Sequence, residues 1–326
     1  MPATNFDANA TPHNRDTVTD TKHTGWPLHF LVFSFNRGEF LAHCINSIRR
    51  CAPDCAITVY DDNSTDPLTR QLLSRLDKDK DVTVVQPIAD GTGGKHGGLY
   101  YNMQQAWQAL SDDTLICTLQ DDMQMVRPLC PGEIGHWHHL FSSGAHRGFL
   151  QPAFIKSLKP AGTSQVRYDD NKQVYLIDRE QRSAGAWYSD IFMIQVGLLR
   201  QADWQFRARE SGNEQQARQH FQQMGYVRNP FVAWLPGAPA WRGKRRTAAM
   251  KYAERSRHCG FYPLQIMSEQ QSSAFCARAD DQLPLAESVL TLESERKLEK
   301  PWFYYPLQDR RLLKQLNRLE LTLRRS

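Results

Sequence analysis

The sequence predicts an α/β fold: a Rossmann-like, mostly parallel central sheet flanked by helices, followed by a helical C-terminal extension. Three observations predict it. Short runs of β-branched and apolar residues alternate with amphipathic helical patterns from Leu28 to Leu119. The runs are four to eight residues long and bounded by polar residues, as strands buried on both faces require. Polar clusters (Ser34 to Arg37, Asp61 to Ser64, Asp121 with Asp122) fall at the ends of three of these runs, the edge where open parallel sheets bind ligands.

The first strand is LHFLVFSF, beginning at Leu28. Asn36 is placed to cap the following helix, with Glu39 as its reciprocal partner, and Phe40, Leu41, Cys44, Ile45 and Ile48 share one helical face. The strand AITVYDD ends in Asp61 and Asp62, and the next helix opens with Asp66 as cap and Pro67 in its first turn. A third strand covers Val82 to Gln86. The loop GTGGKHGG then leads into a helix whose Leu99, Met103, Trp107 and Leu110 face a core. The strand Thr114 to Leu119 closes the series, and SAGAWYSDIFMI returns to the sheet further on, bringing Trp187 and Tyr188 toward an acceptor or into the core.

With 326 residues, 40% of them hydrophobic and 23% charged, the chain has the profile of a globular protein able to bury a core, in one large domain or two modest ones. A formal charge of +5 is too small to argue for nucleic acid, and no nucleic-acid-binding motif accompanies the basic segments. The seven cysteines are odd in number and lack a paired CxxC, which argues against a disulfide framework or zinc module and for a reducing cytoplasm. Residues 1–26 read as a disordered polar tail without a secretory apolar stretch, and no run reaches the roughly 18 apolar residues of a spanning helix.

Asp121 and Asp122 carry the strongest chemical signal. Adjacent carboxylates raise each other's cost of ionising, so the pair needs water or a cation, which a divalent metal would supply. The glycine loop fits neither a Walker A motif, because Ala89 and His96 stand at required glycine and hydroxyl positions, nor GxGxxG. It reads as a connection lining the site, from which Lys95 can reach a diphosphate. His136, His138 and His139 do not share a helix face and make a poor metal set.

The ordered set FSFNR, VYDDNSTD, a helix start at Gly98 and Asn102, and LQDDM resembles glycosyltransferase family 2, whose fold is GT-A. The resemblance covers residues 28–128 and, more weakly, 183–236. It implies a catalytic domain over 27–240, with 241–326 as a basic loop and amphipathic extension. It further implies that Phe33, Ser34 and Phe35 wall the nucleotide base, that Arg37 and Lys95 belong to the nucleotide-sugar site, and that Asp62 accepts from the base's ring N–H. The family's metal motif is usually DxD or DxDD; with Leu119 in place of the first acid, Asp121 falls near the ribose or a metal-bound water and Asp122 becomes the better direct ligand. Oxygen ligands favour Mn²⁺ or Mg²⁺.

Inversion, also implied by the resemblance, needs a base for the acceptor hydroxyl. The family places an acidic pair about eleven or twelve residues before a Gly-Tyr; counting back from Gly225 puts Asn213 and Glu214 there, making Glu214 the candidate, with Glu210 and Asp190 as rivals. The basic stretch WRGKRRTAAMKYAERSRH suits a mobile loop over a diphosphate, with His258 as a further metal ligand, or else a solvated basic face. In the last segment Leu312, Leu316, Leu319 and Leu323 form an apolar stripe beside Arg310, Arg311, Lys314 and Arg318, suited to an anionic membrane surface with the aromatic run PWFYYP at headgroup level, or to packing on a partner or on its own domain.

The expected activity is therefore inverting transfer from a nucleoside diphosphate sugar, a UDP-sugar first, to a glycan or lipid-linked hydroxyl by a cytoplasmic, peripherally attached enzyme. The alternatives are a catalytically silent GT-A-like binding domain and a sugar-phosphate nucleotidyltransferase. The latter would open with a glycine-rich phosphate loop after the first strand, which FSFNRGEF lacks.

Overall fold

A computed structural model describes residues 28–86, 98–130, 132–156, 166–177, 185–240, 247–294 and 298–323. The polar tail and Lys95 lie outside the described residues. The strands are β1 (Leu28–Ser34), β2 (Ala56–Asp61), β3 (Val82–Val85), β4 (Leu115–Gln120), β5 (Met123–Met125), β6 (Leu150–Gln151), β7 (Val166–Asp169), β8 (Val174–Ile177), β9 (Met193–Gln195), β10 (Gly225–Val227) and β11 (Val232–Trp234). The helices are α1 (Gly38–Cys51), α2 (Pro67–Leu76), α3 (Leu99–Gln108), α4 (Glu133–Ser142), α5 (Val196–Gln201), α6 (Glu210–His220), α7 (Ala248–Ser256), α8 (Glu269–Cys276), α9 (Ala286–Val289) and α10 (Arg311–Leu323).

The main sheet runs in the order β3-β2-β1-β4-β9-β6-β10-β8-β7. Its first four strands are parallel, as the strand–helix alternation predicts. Beyond β4 the sheet turns mixed: β9 runs antiparallel to β4 and β6, and β8 runs antiparallel to β10 and β7. The β1 side chains Phe30, Leu31 and Val32 are buried, so this strand sits in the middle of the core. α1 buries the predicted face of Phe40, Leu41, Cys44, Ile45 and Ile48. Full burial of each such side chain stabilises by about 1.5–3 kcal/mol, which is why the pattern fixes the helix's orientation.

A second sheet pairs β5 with β11 antiparallel. It holds the chain immediately after Asp122, whose carbonyl accepts from the Leu235 N–H at 2.9 Å. On its other face the fully buried Gln124 side chain donates to the Leu264 carbonyl at 2.5 Å and accepts from the Leu264 N–H at 2.8 Å. The C-terminal region is joined to this second sheet by that amide, and to the residue after β5 by the Met267 N–H donating to the Val126 carbonyl.

Two local expectations change. Asp66 caps α2, accepting from the Thr69 N–H at 2.8 Å, with Pro67 at the first position as expected. Asn36 does not cap α1; Arg37 occupies that position. Asn36 adopts a left-handed φ of 53°, and its side-chain oxygen accepts from the Thr65 and Asp66 N–H groups at 2.7 and 2.9 Å. The asparagine side chain found more N–H donors in the neighbouring loop than its own helix offered. In the C-terminal region Trp302 and Phe303 are 3% and 8% exposed, so the aromatic run belongs to the interior and not to a headgroup layer.

Candidate active site

The carboxyl ends of β1, β2 and β4 meet at one edge. Parallel register places Ser34 beside Asp61, and Phe33 beside Gln120 just before the acid pair. The Asp62 N–H donates to the Ser34 carbonyl at 2.9 Å and the Asp121 N–H to the Phe33 carbonyl at 3.0 Å, extending both ladders to the acids. The loops after β1 and β2 are tied further by the Asn36 N–H donating to Ser64 Oγ at 2.8 Å, while Ser64 donates from both its N–H and its hydroxyl to Asp61. Asp61 is thus a buried loop organiser. Burial pushes its carboxyl up, helped by Asp62, and the Ser64 and Asn63 hydrogen bonds restrain the shift.

The acid pair already has one cation. Arg37 Nη1 lies 2.6 Å from Asp122 Oδ2 and 3.3 Å from Asp121 Oδ1. Asp121 Oδ2 also accepts from the Phe35 N–H at 3.1 Å. Burial raises the Asp121 carboxyl to about 6 with help from Asp122 and Asp61, against the opposing pull of Arg37 and the Phe35 N–H. Burial lowers the Arg37 guanidinium, but the two carboxylates outweigh it and hold the charge on Arg37 firmly. Both Asp121 oxygens are engaged, whereas Asp122 Oδ1 is buried with no hydrogen-bond partner among the described residues. One unpartnered carboxylate oxygen beside a half-neutralised pair suits a hard cation that takes its remaining ligands from phosphate and water, so the residues fit Mg²⁺ or Mn²⁺ through Asp122. Among the described residues no His, Cys or Glu completes a metal-holding group with Asp121 and Asp122. His258 lies after α7, its carbonyl accepting from Tyr262.

The donor-side expectations are only partly brought together. Asp62 stands against the start of α3: a Cβ built on Gly98 would lie 2.4 Å from Asp62 Oδ1. Ser34 is buried with its hydroxyl unpartnered among the described residues. Phe33, in contrast, is 5% exposed and stacked on Tyr60 at 5.6 Å, so its ring belongs to the core and not to a base-binding wall. Phe35 is half-buried and contributes its backbone to Asp121.

Glu214 also departs from its expected setting. It lies in the second turn of α6, 5% exposed. Its Oε2 accepts from the N–H groups of Gly185, Trp187 and Tyr188 at 3.2, 3.1 and 2.8 Å, and its Oε1 from Arg218 at 3.2 Å. A carboxylate so engaged has no lone pair turned toward a substrate proton. The rival acid Asp190 is placed differently. It is half-buried, with Oδ1 accepting from the Tyr100 hydroxyl at 3.0 Å, and Tyr100 lies in the first turn of α3, beside Gly98 and Asp62. Burial and the Glu210 charge push the Asp190 carboxyl up to about 7, against hydrogen bonds from Tyr100 and Tyr188. A buried acid beside a tyrosine cannot be ranked from sequence, because Tyr100 lies 90 residues away in the chain.

The Arg-clamped acid pair and the acid at the α3 start thus lie together at the carboxyl edge of a sheet that is parallel in one half and mixed in the other. Residues 30–139, about a third of the chain, match the model of Glycosyl transferase family 2. Similar solved structures include TarS of S. aureus (12% identity, TM-score 0.45, covering 77% of this chain) and GalNAc-T7 with UDP, GalNAc and Mn²⁺ (12%, 0.47, 71%). A third is the mannosyltransferase PcManGT of Pyrobaculum calidifontis with GDP-Man and Mn²⁺ (14%, 0.44, 72%). The chain spans 42%, 48% and 62% of the length of those three chains. A comparison with curated proteins gave no match.

Proposed function

We propose that the protein transfers a sugar, with inversion, from a nucleoside diphosphate donor to a hydroxyl of a glycan or lipid-linked acceptor. The observation that carries the reading is the convergence of Asp62, the Arg37-clamped Asp121–Asp122 pair and Asp190 around the β1, β4 and α3 ends. Asp62 accepts from the base's ring N–H, with Ser34 and Phe35 beside it. Arg37 pairs with both Asp121 and Asp122 and fixes their positions. Asp122, with Asp121 next to it, is the residue that would hold a divalent metal, which when bound supplies charge neutralisation for the departing diphosphate. Lys95 belongs to the same donor site in this reading.

Asp190 takes the acceptor hydroxyl's proton. Its carboxyl, raised to about 7, matches the requirement that a general base titrate near working pH. Tyr100 orients the carboxylate, and the Glu210 charge favours proton uptake. The sugar's developing positive charge then meets a hydroxyl that is losing its proton, and negative charge collects on the diphosphate side near Arg37.

The acceptor reading includes a cytoplasmic, membrane-peripheral setting. No helix among the described residues is long and apolar enough to cross a membrane. α10 instead leaves Leu312, Leu316, Leu319 and Leu323 between 51% and 76% exposed, next to Arg311, Lys314 and Arg318. Its other side is tied to α7 by Glu320, which accepts from the Ala248 and Ala249 N–H groups at 2.7 and 2.9 Å. An apolar stripe with basic neighbours matches an anionic lipid surface.

A thermal-shift series with UDP, GDP and their sugars, with and without Mn²⁺, tests the donor reading, because a ligand at 100 times its Kd stabilises by about 2.7 kcal/mol. A nucleotide-specific rise in Tm that requires Asp62 supports it. No shift with any nucleotide under any metal condition overturns it.

A further inference from the structure

We propose that Glu214 is a positioning residue: it clamps the strap Gly185–Asp190 so that Trp187 and the base Asp190 face the acceptor. This rests on the reading of Asp190 as base. The strap begins at Gly185 and enters β9 after Asp190. Three of its first four N–H groups converge on one Glu214 oxygen. Convergent backbone N–H groups form an anion-binding concavity, and here the anion is supplied by the chain itself. The fixed end continues to the other: Tyr188 is fully buried with its hydroxyl donating to Met103 Sδ at 3.9 Å, while the Asp190 carbonyl accepts from Thr118 Oγ1 at 2.9 Å. Asp190 is therefore held from two sides, by β4 through Thr118 and by α6 through the Glu214 clamp.

The other Glu214 oxygen fixes Trp187. Arg218, one turn further along α6, pairs with Glu214 and lies 4.1 Å from the centroid of the half-buried Trp187 ring. A guanidinium over the indole face is attracted to the ring's π-electrons and sets the ring's plane. One carboxylate thus fixes the backbone that carries the base and the ring beside it. Trp187 offers the flat apolar surface on which a sugar acceptor stacks.

The two glutamate roles predict different mutational patterns. A general base is lost equally in Glu214→Gln and Glu214→Ala, since neither side chain accepts a proton. A clamp is not. Gln keeps an oxygen at the Oε2 position for the three N–H groups but turns its amide donor toward Arg218, while Ala leaves all of them unmet. The expected result is that E214Q loses kcat by roughly 3- to 10-fold and raises the acceptor KM, with donor KM unchanged, whereas E214A falls by a further 10-fold or more, as a displacement of about 1 Å at a reacting group costs.

The pH profile separates the failures. Asp190 faces Tyr100, Tyr188 and Glu210, so the limb of kcat/KM near pH 7 is the one assigned to it, while Asp121, raised to about 6, gives a separate limb at lower pH. Asp190→Asn is expected to remove that limb and E214Q to retain it. If D190N keeps the limb, the base reading fails. If D190N loses the limb but E214Q matches the unmodified enzyme in kcat and acceptor KM, the clamp fails and the base stands. Loss of the limb in E214Q overturns the clamp in favour of a proton-accepting Glu214. Should E214A not fold, the E214Q and D190N profiles alone decide among these outcomes.

Discussion

Gly98→Ala places one methyl group against Asp62, the acid proposed to read the nucleotide. Gly98 has φ −81° and ψ 6°, which alanine adopts without strain, so the backbone has no cause to move. The new Cβ would stand 2.4 Å from Asp62 Oδ1 and 3.3 Å from its Cγ. The carboxylate must rotate away. Replacing Gly by Ala at a helix N-cap costs about 0.5–1 kcal/mol of stability, and the protein stays folded. The functional cost is larger: losing a hydrogen bond to a charged group is worth about 1.5–3 kcal/mol, or roughly 10- to 150-fold in donor affinity. Isothermal titration with the nucleoside diphosphate, beside denaturation of the free protein, measures both. Donor affinity within 2-fold of the unmodified protein, at unchanged stability, would refute Asp62 as the base-reading acid.

Other perturbations follow from the same geometry. Because Asp190 holds its proton longer in the folded chain than in the unfolded one, its contribution to stability is complete below about pH 4 and lost as the pH rises through about 7. Activity runs the opposite way, since the base works deprotonated; kcat/KM should climb through about pH 7, and Asp190→Asn should flatten both profiles. Arg37→Met leaves Asp121 and Asp122 without their cation; with the three side chains 7–19% exposed, chemical denaturation should show a loss of about 3 kcal/mol. A smaller loss at pH 5 than at pH 8 would mark protonation of Asp121 as the relief. Serine at Leu312, Leu316, Leu319 and Leu323 should abolish co-sedimentation with vesicles containing anionic lipid and leave nucleotide binding intact. Equal binding to neutral vesicles, or none by the unmodified chain, would refute a lipid-facing stripe.

The parallel half of the sheet was legible because each strand and helix there carries a complete local pattern. Ile57 to Tyr60 are a continuous buried run, and Asp66-Pro67 is a cap and first turn readable in two residues. The mixed half was legible only where SAGAWYSDIFMI returns to the sheet as β9; β6 and β10 are two or three residues long and owe their pairing to neighbours far along the chain. Site residues divide in the same way. Asp121 and Asp122 announce themselves by adjacency, whereas the role of Arg37 depends on a contact 85 residues away. Asn36 and Glu214 misled for one reason: each is a polar side chain near a helix start, and each spends its oxygens on the backbone of a segment 26–30 residues distant. Local spacing cannot distinguish an acid that waits for substrate from one already saturated with N–H groups.

The Gln124 amide has a consequence for how the chain could be divided. A primary amide offers the same paired N–H and C=O as a peptide unit, so at Leu264 a single side chain imitates one rung of a β-ladder. The rung sits two residues from Asp122, on a strand of three residues. A chain cut after residue 240 would remove both partners of that amide, leaving water to meet its groups and the strand bordered on one side only. The acid pair would then lose this support although Asp121 and Asp122 themselves were still present. The last quarter of the chain acts as the outer wall of the β5–β11 sheet, and a shortened chain would have to supply a substitute for it.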